Sequence, residues 1–155
     1  MVGGLTFFSF YTFFTFNTMT FAQSITTCFR KYATFSGRAT RSEFWWFWLF
    51  TAVISLILSY LDAVFWGLPD SVIAQNPMAV FGTMYLRVIW GVGTLLPSLA
   101  VAVRRLHDIG KSGWWYLINF ILIVGTIVYI IFMCTGTQPF DNKYGAEPGT
   151  EDAEE

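Results

Sequence analysis

His107 and Asp108, with Ser112 just beyond them, are the residue types of proton transfer and nucleophilic attack. Their spacing argues against that chemistry. Adjacent helix residues diverge by about 100° around the axis. No oxyanion donors are evident near Ser112, and a lone histidine in a helix's last turn is ordinarily a cap or interface residue. The sequence contains no phosphate-binding loop, zinc motif or dinucleotide fingerprint. Cys28 and Cys134 lie near opposite ends without metal-ligand spacing. No catalytic, cofactor-binding or metal-ligating set is assigned, and the chain reads as non-enzymatic. Ionic chemistry remains: Arg38, Arg41 and Glu43 precede one apolar run, and Arg104, Arg105, His107 and Asp108 close another.

The elements carrying these residues are apolar. Of 155 residues, 55% are hydrophobic, 20% aromatic and only 12% charged, against roughly a quarter charged in a soluble domain. Residues 44–61, 80–103 and 114–134 are each long and apolar enough to span a bilayer, which takes about 20 helical residues. Residues 62–79, with Gly67, Pro69, Asp70 and Pro77, read as a loop. Four cations fall in residues 19–41 and three in residues 104–111, whereas residues 62–79 have none and the tail has only Lys143. By the positive-inside rule the N-terminus is cytoplasmic and the acidic C-terminal tail periplasmic. The alternative is a third segment that re-enters, bent near Gly125. The basic residues flank hydrocarbon-length runs, which speaks for membrane orientation and anionic headgroups and against nucleic acid.

Thr40-Arg41-Ser42-Glu43 has the pattern of a capping box, in which Thr40 and Glu43 bond each other's backbone amides. Arg104, Arg105 and His107 suit the negative end of the second span, and Gly110 suits the residue just past it. Ser112 can cap the third. Trp45 and Trp46 therefore start one span and Trp114 and Trp115 another at the same interface, with indoles at headgroup depth. Phe21, Ile25, Cys28, Phe29 and Tyr32 share one helical face, with Ser24 mostly elsewhere. That predicts an amphipathic helix lying in the interface, packed on the spans, or both. Residues 1–18 alternate Phe with Thr, lack a basic leader, and read as an extension upstream of a start at Met19.

Thr51, Ser55 and Ser59 line one stripe of the first span, in register with Asp62, and Gly91, Thr94 and Ser98 line one of the second. Neither stripe holds a mid-membrane charge, so helix packing is favoured over a polar path. Pro97 should kink the second span. Asp62 and Arg87 either pair at its outer end or reach separately to headgroups. Glu43 is expected to meet Arg104 or Arg105, and Asp108 to meet Arg38 or Arg41, because acids among bases at a low-dielectric edge should not stay unpaired. The local alternative is Arg104 with Asp108.

"FRKYATFSGRATRSEFWWF", "LPSLAVAVRRLHDIGKSGWW" and "NKYGAEP" strongly resemble the bacterial inner-membrane proteins grouped as domain of unknown function 805. The resemblance covers residues 19–148, leaving 1–18 outside it and 149–155 as an acidic, disordered tail. It implies a small multi-span inner-membrane protein with no assigned activity, hence no catalytic residues to carry over. The expectation is an all-α integral membrane bundle of three transmembrane helices plus an N-terminal amphipathic interfacial helix. It would act through membrane lipids, a homo-oligomer or a membrane-protein partner, with a small transporter or channel subunit as the alternative.

Overall fold

In a computed structural model of the protein, which describes residues 19–148, the apolar runs fold as helices. The readings for residues 1–18 and 149–155 fall outside the described residues. No strand forms among those described, apart from an isolated bridge between Asn142 and Gly145.

Helix α1 spans Phe21–Arg30 and opens with a complete capping box: the Thr20 hydroxyl accepts from the Gln23 amide, and the Gln23 side chain accepts from the Thr20 amide. Ser24 and Cys28 are its buried residues, so the face turned inward includes the serine that the periodicity had placed elsewhere. The Met19 amide bonds the Ser42 hydroxyl at 3.1 Å. Phe29 stacks edge-on against Phe47 and Phe50. Both ends of α1 thus meet the first turns of the next helix, and α1 is packed across the bundle.

Helix α2 covers Arg41–Trp66 and helix α4 covers Tyr85–Asp108. At 1.5 Å per residue they are about 39 and 36 Å long, enough to cross a hydrocarbon core of about 30 Å. Between them the expected loop is partly helical, with α3 at Asp70–Gln75 and a 3-10 helix at Pro77–Thr83, so the second span begins five residues later than the hydropathy suggests.

The third apolar run is broken. Residues 114–134 read as one span, but they fold as a 3-10 helix, Gly113–Phe120, followed by α5, Val124–Cys134. The latter is about 16 Å long, half a bilayer core. Its two pieces meet at Ile121–Ile123, where Ile123 takes φ +47°, rare for a β-branched residue. A Cβ on Gly125 would lie 1.8 Å from the Ile118 carbonyl oxygen, so only glycine allows so close an approach. The segment leaves α4 through Lys111, whose amide bonds the Leu106 carbonyl, and returns to Thr135, whose carbonyl accepts from Arg105. It is a hairpin with both ends against the same end of α4.

The buried core lies at that end: Cys28, Ala39, Phe44, Phe47, Leu106 and Met133 all belong to it. Further along the spans the apolar side chains are bare, with Leu56 71% and Ile89 70% exposed.

Candidate functional site: a buried arginine and carboxylate cluster

The charged residues converge because α2 starts where α4 ends. Arg104 donates through Nη1 to Glu43 Oε1 at 2.6 Å. Arg38 donates through Nε to Asp108 Oδ1 at 3.0 Å, and Arg105 donates to the other oxygen of the same carboxylate. All five residues are buried. Asp108 pairs locally with Arg105 at i,i+3, and not with Arg104 at i,i+4. Glu43 makes only half of the expected capping box. Its amide bonds the Thr40 hydroxyl at 3.1 Å, but its carboxylate turns to Arg104. A buried guanidinium gains more from that carboxylate than a helix-end amide would.

Three guanidinium groups face two carboxylates, and an unanswered buried charge is costly. The excess is met by carbonyl dipoles. Arg105 donates to the carbonyls of Met133 and Thr135, at and just past the end of α5, where the helix dipole is negative. Arg38 donates to the carbonyls of Gln138 at 2.5 Å and Phe140 at 2.8 Å.

Those carbonyls belong to a C-terminal strap. Asn142 and Gly145 exchange backbone hydrogen bonds, the Asn142 carboxamide oxygen accepts from the Tyr144 amide, and Gly145 sits at φ +135°. The resulting tight turn explains the Asn-Lys-Tyr-Gly run, since the Asx turn and a positive φ each demand their residue. Asn142 also donates to the His107 carbonyl at 3.0 Å, and Tyr144 stacks on His107 with ring centroids 3.8 Å apart. His107 is therefore a stacking platform, and Asp108 is held between two arginines. Gly110, at φ +73°, closes α4: its amide bonds the His107 carbonyl while that of Lys111 bonds Leu106.

Two contacts of α1 complete the site. The Cys28 thiol lies 3.7 Å from Glu43 Oε1, and burial, with the Glu43 charge beside it, pushes the thiol's pKa up to about 12. Pro97, inside α4, cannot donate to the carbonyl four residues earlier, that of Gly93. The Tyr32 hydroxyl donates to it instead, at 2.5 Å.

At the far end, Asp62 accepts from the amides of Leu86 at 3.0 Å and Arg87 at 3.1 Å, capping α4 from a neighbouring helix. The Arg87 guanidinium turns to the Ser59 hydroxyl at 3.3 Å, so acid and base meet through the backbone and not through their side-chain charges. Of the stripe hydroxyls Thr51, Ser55, Ser59 and Thr94, Ser59 alone among these four bonds across helices, and the other three bond carbonyls of their own helices. Gly91 is exposed and Ser98 partly buried. Trp46, Trp114 and Trp115 are exposed near the charged end, Trp45 is half-buried against the core, and Arg41 opens α2 partly buried. Cys28, Tyr32, Gln138, Asn142 and Tyr144 escaped the sequence reading as members of the site. The freed carbonyl before Pro97 was a signal for a donor such as Tyr32, and the Asn-x-x-Gly turn a signal for the strap.

Two apolar helices of bilayer length, joined by internally paired charges, define a helical membrane protein. The chain belongs to the family described as protein of unknown function (DUF805), whose model matches residues 32–146. It is similar to inner membrane protein YhaI of Escherichia coli (strain K12), 36% identical over 119 residues, covering 77% of this chain and 89% of that protein. It is also similar to inner membrane protein YhaH of the same organism, 33% identical over 123 residues, covering 79% of this chain and 93% of the relative. No solved structure matches the chain significantly.

Proposed function

We propose that this protein is a non-enzymatic component of the bacterial inner membrane. It acts through contacts with lipids or with membrane proteins, a second copy included, and its charged end faces the cytoplasm. One observation carries the reading: the two carboxylates best suited to chemistry are consumed in holding the fold. Asp108 is shared by Arg38 and Arg105, and Glu43 is taken by Arg104, all away from solvent. What stays available is the bare apolar surface of α2 and α4. The orientation rests on charge: eight of the nine Lys and Arg residues belong to segments packed at or leading into that end, and only Arg87 lies at the other. A transporter is less well supported, because the hydroxyls of Thr51, Ser55 and Thr94 are spent on their own helices. The test is purification in mild detergent with identification of what accompanies the chain. A stoichiometric lipid, protein or second copy is expected. A turnover activity lost in a folded Asp108→Asn variant would overturn the reading.

A further inference from the structure

Between α2, α4 and the two arms of the hairpin lies a cavity of about 550 Å³, partly open at one flank. We infer that it binds one acyl chain of a membrane phospholipid drawn from the leaflet at the charged end. The inference rests on the membrane reading above and adds a defined lipid site to it.

Three observations carry it. The first is depth. The lining runs from Phe44, in the first turn of α2, to Thr51, ten residues from that helix's start. The seven residues from Phe44 to Thr51 are about 10 Å of helix, against about 15 Å for half of a core about 30 Å thick. The cavity therefore lies within the leaflet at the charged end. The second is wall chemistry. Phe47, Val101, Ala102 and Met133 supply apolar surface, and two of the polar groups present are already engaged: Thr51 donates to the Trp48 carbonyl and Asn119 to the Tyr116 carbonyl. A buried water wants two to four polar partners, so this space suits hydrocarbon better. Left empty, its walls would forfeit their dispersion contacts. The third is access. Trp48 is 53% and Ile130 47% exposed, and both line the cavity, so its mouth is continuous with the lipid-facing surface. The volume falls within the roughly 300–1,000 Å³ of ligand-holding cavities.

The experiment is native mass spectrometry of the full chain released from membranes in mild detergent. The parent is expected to retain one phospholipid per protomer. Ser98→Phe, on the α4 wall, should lower that occupancy more than tenfold while circular dichroism keeps its helical signal. Thr126→Phe, on the α5 wall, does the same from the opposite side and serves if Ser98→Phe does not fold. Leu56→Phe, on the exposed face of α2, should leave occupancy unchanged. A bare parent, an adduct of free-fatty-acid mass, or equal loss in Leu56→Phe overturns the inference. A chain that still sits in the membrane with the cavity bare overturns the lipid site alone.

Discussion

Glu43 and Asp108 answer buried charge differently, and each difference is measurable. Arg104 has a hydrogen-bond partner only at Nη1, where Glu43 sits, whereas Arg38 and Arg105 keep backbone carbonyls if Asp108 is lost. Glu43→Gln should destabilise the protein by about 3–5 kcal/mol, less where headgroup water reaches the pair, and Asp108→Asn should cost less than Glu43→Gln. Replacing Glu43 and Arg104 together by Leu and Met should recover most of the Glu43 loss, because an apolar pair leaves no stranded charge. Thermal melting in detergent reads all three, and single variants that melt with the parent would remove the ionic account of the core. Cys28 gives a pH test. Its folded pKa stands above the ordinary value of 9.0, so keeping the thiol neutral stabilises the fold fully below pH 9.0, and that contribution is lost as pH rises toward about 12. At about pH 8 the folded thiol should alkylate far more slowly than the same thiol in denaturant, since only thiolate reacts. Equal rates would mean that the burial is not maintained.

At the scale of elements, Pro97 and Tyr32 form a matched defect and repair. Tyr32→Phe should cost about 0.6–1.5 kcal/mol by leaving the Gly93 carbonyl without a donor. In a Pro97→Ala background the helix supplies its own amide, and the same substitution should cost almost nothing. A double-mutant cycle showing independent effects would sink the pairing. The hairpin makes a second prediction. Because residues 138–145 lie against Arg38 and His107, a reporter fused after Glu155 should be active on the same side as one fused before Met19. Reporters on opposite faces would restore the single third span. The break in this run, at the alternative bend near Gly125, has a physical reason. Composition fixes how apolar a segment is, but Gly125 and the Ile121–Ile123 turn decide its path, and hydropathy does not weigh them. The helix ends were legible, since Thr40 and Gly110 act through local backbone rules. The acid–base pairings were too, since two helices meeting end to start leave few choices. Tyr32 and the strap were not, because their contacts reach far along the chain.

For the whole molecule, one interaction ties folding to time. The Arg38 guanidinium is satisfied partly by the Phe140 carbonyl, 102 residues later in the chain. Chains emerge at about 5–20 residues per second, so during synthesis Arg38 waits on the order of 5–20 seconds for that partner. The two long spans can already be inserted by then, with Arg38 and Arg105 still short of the carbonyls of residues 135–140. Arg38 and Arg105 thus receive their full set of partners only once residues 135–140 have been made, whereas Arg104 needs only Glu43. A chain ending at Cys134 keeps every apolar run of the spans and the hairpin but lacks the carbonyls of Thr135, Gln138 and Phe140. It should insert normally and then be degraded several-fold faster than the full-length protein in pulse-chase labelling. Equal lifetimes would show that the arginines do not need the end of the chain.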